Sequence, residues 1–171
     1  HYADALEYCA AHGAEYDAIH ASPPCQAYTI AGQQWRKLGK QYQELIAATR
    51  DRLKATGKPY IIENVPGAPL ISPVILNGSF FKLKVRRTRW FECNFPMPTL
   101  ELPVESPSLF RMGRPVRDGD IITPVGHFSN VAYARRVMGI AWMTQGELAQ
   151  AIPPAYSEFL GKFMMQACEV L

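Results

Sequence analysis

Tyr60-Ile61-Ile62-Glu63-Asn64-Val65 decides how this chain is read. Its nearly unbroken β-branched and aromatic run has the composition of a strand buried in a parallel sheet. Lys58-Pro59 leads into it and Pro66-Gly67 closes it. Upstream, from about Tyr42 to Thr56, Leu45, Ile46, Ala48 and Leu53 recur at helical spacing among charged neighbours, and Gly57 supplies a stop. An amphipathic helix is expected there. Further upstream, Tyr16-Asp17-Ala18-Ile19-His20-Ala21 reads as a second strand. It breaks off at Ser22-Pro23-Pro24-Cys25, where two prolines withdraw backbone donors and stiffen the loop. Strand, loop, helix, strand is the βαβ rhythm of an open parallel sheet, in which ligands bind beyond the carboxyl ends of the strands. Cys25 and Glu63 both stand at such ends.

Working outward, Asp4 to Cys9 reads as a short helix, and Phe80 to Leu83 and Trp90 to Phe95 as two further strands. The basic turn Arg86-Arg87-Thr88-Arg89 joins these strands into a hairpin. Prolines, glycines and polar residues with little periodicity fill the stretch from Pro96 to about Asn130, which reads as loop-rich. Helices from about Ala132 and from about Ala155 to Val170 complete the chain. Its 171 residues suit one domain with a sizeable core, divided here into an α/β part (1–95), a short irregular region (96–135) and a return to the core (136–171). Hydrophobic residues at 48% against 19% charged argue for a folded chain and against disorder. The longest apolar run is too short to span a membrane, and the opening residues lack the pattern of a signal peptide. A net charge of +3 permits a polyanionic partner without requiring one. Cys9, Cys25, Cys93 and Cys168 form no CxxC pair, and the four histidines have no zinc-ligand spacing. Free thiols in a reducing compartment and no metal are expected.

A cysteine on a proline-stiffened loop at a strand end is placed to act as a nucleophile; the alternative is a small buried hydrophobe. A carboxylate ending an apolar strand is readied by its surroundings to hold or donate a proton, and the alternative for Glu63 is structural ion pairing.

Four segments, in this order, give these residues a context. Ser22-Pro23-Pro24-Cys25-Gln26-Ala27-Tyr28-Thr29 resembles the Pro-Cys-Gln nucleophile loop of DNA cytosine-5 methyltransferases. Glu63-Asn64-Val65 is similar to the family's Glu-Asn-Val motif, Arg87-Thr88-Arg89 to its Arg-x-Arg motif, and Gln150-Ala151-Ile152-Pro153-Pro154 to its closing Asn-x-Val-Pro-Pro segment. Phage and bacterial members are nearest in style. The resemblance implies a Rossmann-like S-adenosylmethionine-dependent methyltransferase sheet, with residues 96–135 as a short target-recognition region. It implies a Cys25 thiolate attacking carbon-6 of a cytosine flipped out of double-stranded DNA, with Glu63 at ring nitrogen-3 and Arg89 beside them. Gln26, Thr29, Asn64 and Arg87 would meet the substrate or orient the loop, Gly32 would be a hinge, and Asp4, Pro24, Gln150, Ala151 and Ile152 would line the S-adenosylmethionine pocket. Arg111, Arg114, Arg117, His127 and Arg135 are candidates for base and phosphate contacts, and Trp142 and Met143 for core packing. The implied setting is a monomer in the cytoplasm of a bacterial or phage-infected cell, in the style of restriction-modification enzymes.

The sequence departs from the family at several places. The Phe-x-Gly-x-Gly cofactor segment and the acidic end of the second strand are absent, which leads us to expect a chain truncated at its front, with the strand at 16–21 left as a sheet edge. Val85 stands where the family usually has Gln, and Gln150 where it has Asn. Two alternatives follow, a catalytically inactive DNA-binding remnant and a methyltransferase acting on RNA cytosines.

Overall fold

The computed structural model describes residues 3–101 and 115–170. Arg111 and Arg114 lie outside them. The described residues form an α/β fold around an open four-stranded sheet in the order β1 (Ile19–Ala21), β2 (Tyr60–Asn64), β4 (Arg89–Cys93), β3 (Val74–Leu76), divided into two compact units: residues 1–75, 89–99 and 162–171, and residues 76–88 and 100–161.

In the first unit, α1 (Ala5–His12) begins at Asp4, whose Oδ1 accepts from the amides of Leu6 and Glu7 at 2.9 and 3.0 Å. That satisfies two of the amide donors that a helix start leaves without intrahelical partners. Strand β1 (Ile19–Ala21) runs parallel to β2 (Tyr60–Asn64), with Ile19 opposite Tyr60 and Ala21 opposite Ile62. Between them in the chain lie α2 (Ile30–Lys37) and α3 (Ile46–Ala55). Gly57, at φ +70°, turns the chain out of α3 in a conformation that would strain a residue with a side chain. Alternation along the strands sends Ile19, Ala21, Tyr60 and Ile62 to one face of the sheet. There they pack with Leu53 of α3 and Cys9 of α1.

Residues 74–93 depart from the sequence expectation. The stretch 80–83 is no strand: Gly78–Phe81 is a 3-10 helix, because Asn77 caps it by accepting from the Ser79 amide and Lys82 ends it at φ 55°. The strand of this region is β3 (Val74–Leu76), earlier in the chain. The expected hairpin is absent as well. Strand β4 (Arg89–Cys93) pairs antiparallel with β2, Glu63 opposite Phe91 and Asn64 opposite Trp90, so the sheet is mixed and not wholly parallel.

The second unit has its own core of Val85, Ile122, Tyr133, Ala134, Met138, Ile140 and Leu148. Helix α4 (Val131–Met138) starts at Asn130 and stops at Gly139, in the left-handed region at φ 72°. Helix α5 (Gln145–Gln150), not expected from the sequence, is started by a capping box in which Thr144 and Glu147 satisfy each other's backbone amides. Met143 packs against this core. Trp142, expected beside it, is 74% exposed. Helix α6 (Pro154–Glu169) closes the chain, its residues up to 161 belonging to the second unit and the rest to the first. No described helix is long and apolar enough to cross a membrane.

Candidate active site

The parallel alignment of β1 and β2 brings the loop after β1 beside the end of β2, and Asn64 exploits it. This residue is 1% exposed; its side chain donates from Nδ2 to the Pro23 carbonyl at 3.0 Å and accepts from the Val65 amide at 3.0 Å. One amide therefore ties the loop after β1 to the end of β2. The segments carrying Cys25 and Glu63 meet at the carboxyl ends of parallel strands.

Beyond Pro23 the chain makes a helical turn, with the amides of Tyr28 and Thr29 donating to the Cys25 carbonyl at 2.9 and 3.0 Å. Cys25 itself is a half-buried free thiol. Thr29, expected at the substrate, is the N-cap of α2 and accepts from the Gly32 amide at 2.9 Å. Gly32, expected as a hinge, lies buried inside that helix. A Cβ there would collide with the Gln26 carbonyl oxygen, so close approach, and not flexibility, accounts for the glycine. The Gln26 side chain is exposed.

Glu63 and Arg89 form an ion pair, Oε1 to Nε 2.9 Å, with side chains 13% and 14% exposed. The antiparallel register explains it. Glu63 faces Phe91, and Arg89, two residues along β4, shares that face at the diagonal distance a long side chain spans. His20, opposite Ile61, lies on the same face. Loss of solvation pushes the His20 imidazole below its usual value, and the negative Glu63 pulls it partly back. Of the two readings of Glu63, the geometry shows the ion pair, and its partner Arg89 is another of the residues expected at the site.

Arg87, expected to meet substrate, is placed differently. It is 1% exposed in the second unit, and its guanidinium donates to the carbonyls of Pro124 at 2.7 Å and Ala149 at 2.6 Å. Its own carbonyl accepts from the Tyr156 hydroxyl at 2.9 Å. Arg87 is a brace for the segment Gln150-Ala151-Ile152, which begins directly after Ala149. In that segment Ala151 closes α5, Gln150 is exposed, and Ala151 and Ile152 are half-buried.

Asp4 and Pro24, assigned to the cofactor, line one cleft of about 700 Å³ in the first unit, together with Tyr8, His20, Ser22 and Arg52. Of the expected nucleic-acid contacts, Arg117 and His127 are exposed, and Arg135 donates from Nε to the Met143 carbonyl at 2.7 Å. Among the described residues no group of three or more His, Cys, Asp or Glu is arranged to hold a metal ion.

Sequence reasoning misses two arginines. Arg36 of α2 donates to the carbonyl oxygens of Gln26 and Thr29. Arg50 of α3 grips Glu92 through Nε at 2.6 Å and an Nη at 2.7 Å, while Glu92 also accepts from the Ile71 amide at 2.8 Å. Neither arginine stands in a motif; spacing could have revealed Arg36, one turn after Gly32 on the same helix face. In comparisons with protein-family models and with curated proteins, the chain matches none.

Proposed function

We propose that this chain carries the methyl-transfer site of a DNA cytosine-5 methyltransferase built on a Rossmann-like sheet, acting in the cytoplasm of a bacterial or phage-infected cell. The observation that carries the reading is the Asn64 tether, which holds the Cys25 loop against the strand end that bears Glu63. Ordered resemblance of four sequence segments adds to it.

The cofactor's fit can be judged from the cleft that Asp4 and Pro24 line. About 700 Å³ lies in the range of small-molecule sites. One Asp4 oxygen is already engaged by two amides, so a bond to an adenine amine falls to the other. S-adenosylmethionine, when bound, supplies an electrophilic methyl group on a sulfonium.

The chain's own residues do the rest. A flipped cytosine presents its edge to the loop, since a stacked base is out of reach. The Cys25 thiolate adds to carbon-6 and pushes electron density toward carbon-5. Glu63, once it has taken a proton from solvent as the base docks, shares that proton with ring nitrogen-3 and accepts from the exocyclic amine, which lets the ring take up that density. Arg89 holds the carboxylate of Glu63 in place through Nε. After methylation at carbon-5, which would leave the cofactor as a neutral thioether, water takes the carbon-5 proton, the double bond re-forms, the nitrogen-3 proton returns to Glu63 and the thiolate departs.

The test is transfer of labelled methyl from S-adenosylmethionine to duplex DNA. Cys25→Ser should abolish transfer and leave DNA binding in place, and Glu63→Gln should slow turnover by roughly a hundredfold. A wild-type chain that neither transfers methyl nor forms a covalent adduct on duplex DNA containing 5-fluorocytosine would overturn the reading in favour of a DNA-binding remnant. Transfer to structured RNA alone would move the substrate to RNA.

A further inference from the structure

The turn that presents Cys25 has a second support, on α2. Its amides at Tyr28 and Thr29 are spent on the Cys25 carbonyl. Two of its own carbonyls are met by Arg36, which donates from one Nη to the Gln26 carbonyl at 2.7 Å, while both terminal nitrogens reach the Thr29 carbonyl at 3.3 Å. Gly32 lies one turn earlier on the same face, and the absence of a Cβ is what lets the Gln26 carbonyl come so close. Thr29 fixes the start of the helix by accepting from Gly32. The Gln26 carbonyl accepts from Arg36, and the Thr29 carbonyl accepts from Arg36 and, at 3.1 Å, from the Gly32 amide; one planar, permanently charged fork reaches both carbonyls.

We infer that Arg36 is a positioning residue for the nucleophile loop. Together with Gly32 and Thr29 it clamps the 25–29 turn onto α2 and so sets where the Cys25 sulfur stands. The inference rests on the proposed role of Cys25 as the nucleophile. Lysine is a poor substitute, because a single ammonium lacks the planar fork that serves both carbonyls. Charge alone is not what the site requires.

The test follows the thiol itself. Wild type, Arg36→Ala, Arg36→Lys and Gly32→Ala are treated with iodoacetamide, and each of the four cysteines is read separately by mass spectrometry. Hydrogen bonds from a charged donor hold the turn closed, so Arg36→Ala should speed alkylation of Cys25 by about tenfold, with Cys9, Cys93 and Cys168 unchanged. Arg36→Lys should recover only part of the protection, and Gly32→Ala should mimic Arg36→Ala. Methyl transfer should show a fall in kcat with little change in KM for DNA. Unchanged Cys25 alkylation in Arg36→Ala, or equal acceleration at all four cysteines, would overturn the clamp. Selective acceleration at Cys25 in a chain whose wild type transfers no methyl group would uphold the clamp and refute the methyltransferase reading.

Discussion

Replacing Asn64 tests the joint between the two strand ends most directly. Its side chain makes two hydrogen bonds at 1% exposure, one donated to the Pro23 carbonyl and one accepted from the Val65 amide. Asn64→Ala leaves both backbone groups without these partners. At roughly 1–3 kcal/mol for each buried group so left, a loss of about 3 kcal/mol is expected. Asn64→Asp separates the two bonds. It keeps an acceptor for Val65, loses the donor to Pro23, and at neutral pH sets a buried carboxylate against a carbonyl oxygen. That variant should be less stable than Asn64→Ala at pH 8. The introduced carboxyl gains a donor when protonated, so the folded state holds its proton more tightly than the unfolded chain does. Its stability is then greatest at low pH and falls as pH rises above the unfolded value of about 4. Urea unfolding at pH 5 and pH 8, with wild type alongside, reads both effects. An Asn64→Asp variant as stable as wild type at pH 8, or a difference from wild type that is the same at both pH values, would refute the claim that this bond holds the loop.

Arg50→Ala strands Glu92, 3% exposed and gripped through two nitrogens, so a loss of about 3–5 kcal/mol is expected in thermal unfolding; a loss below about 1 kcal/mol would refute the role given to the pair. Burial, with Glu92 nearby, pushes the Cys93 thiol from 9.0 up to about 12. The folded chain keeps that proton where the unfolded chain releases it, so the Cys93 contribution is intact below about pH 9 and lost as pH rises toward about 12. Cys93→Ala should flatten that part of the stability curve, and an unchanged slope would count against it.

The parts of the fold legible in the sequence are those where composition and period agree. Tyr60 to Asn64 is a strand because its apolar side chains have cores to fill, and Ile46 to Ala55 is a helix because its spacing and Gly57 both say so. Phe80 to Leu83 misleads because large apolar residues fit a strand by composition, whereas the Asn77 cap favours a tight helical turn. Helix α2 is hidden behind a glycine that reads as a hinge. At the site, strand ends give away Cys25 and Glu63, and the Glu63–Arg89 pair requires the β2–β4 register, which no local pattern encodes.

Arg87 and Arg89 show why the tripeptide cannot be read as a unit. In one continuous strand, residues two apart share a face, and both guanidinium groups would serve the same surface. Strand β4 begins only at Arg89, however, and Val85 bridges to Ile122 instead. Arg89 therefore meets Glu63 across the sheet, while Arg87 is committed to the Pro124 and Ala149 carbonyls inside the second unit. Drawing Arg87 out to a phosphate would leave those two oxygens without its donors, a cost that a solvent-exposed ionic contact does not offset. The first arginine of the pair thus supports the segment at Gln150, and only the second stands beside the carboxylate on which the proposed chemistry depends.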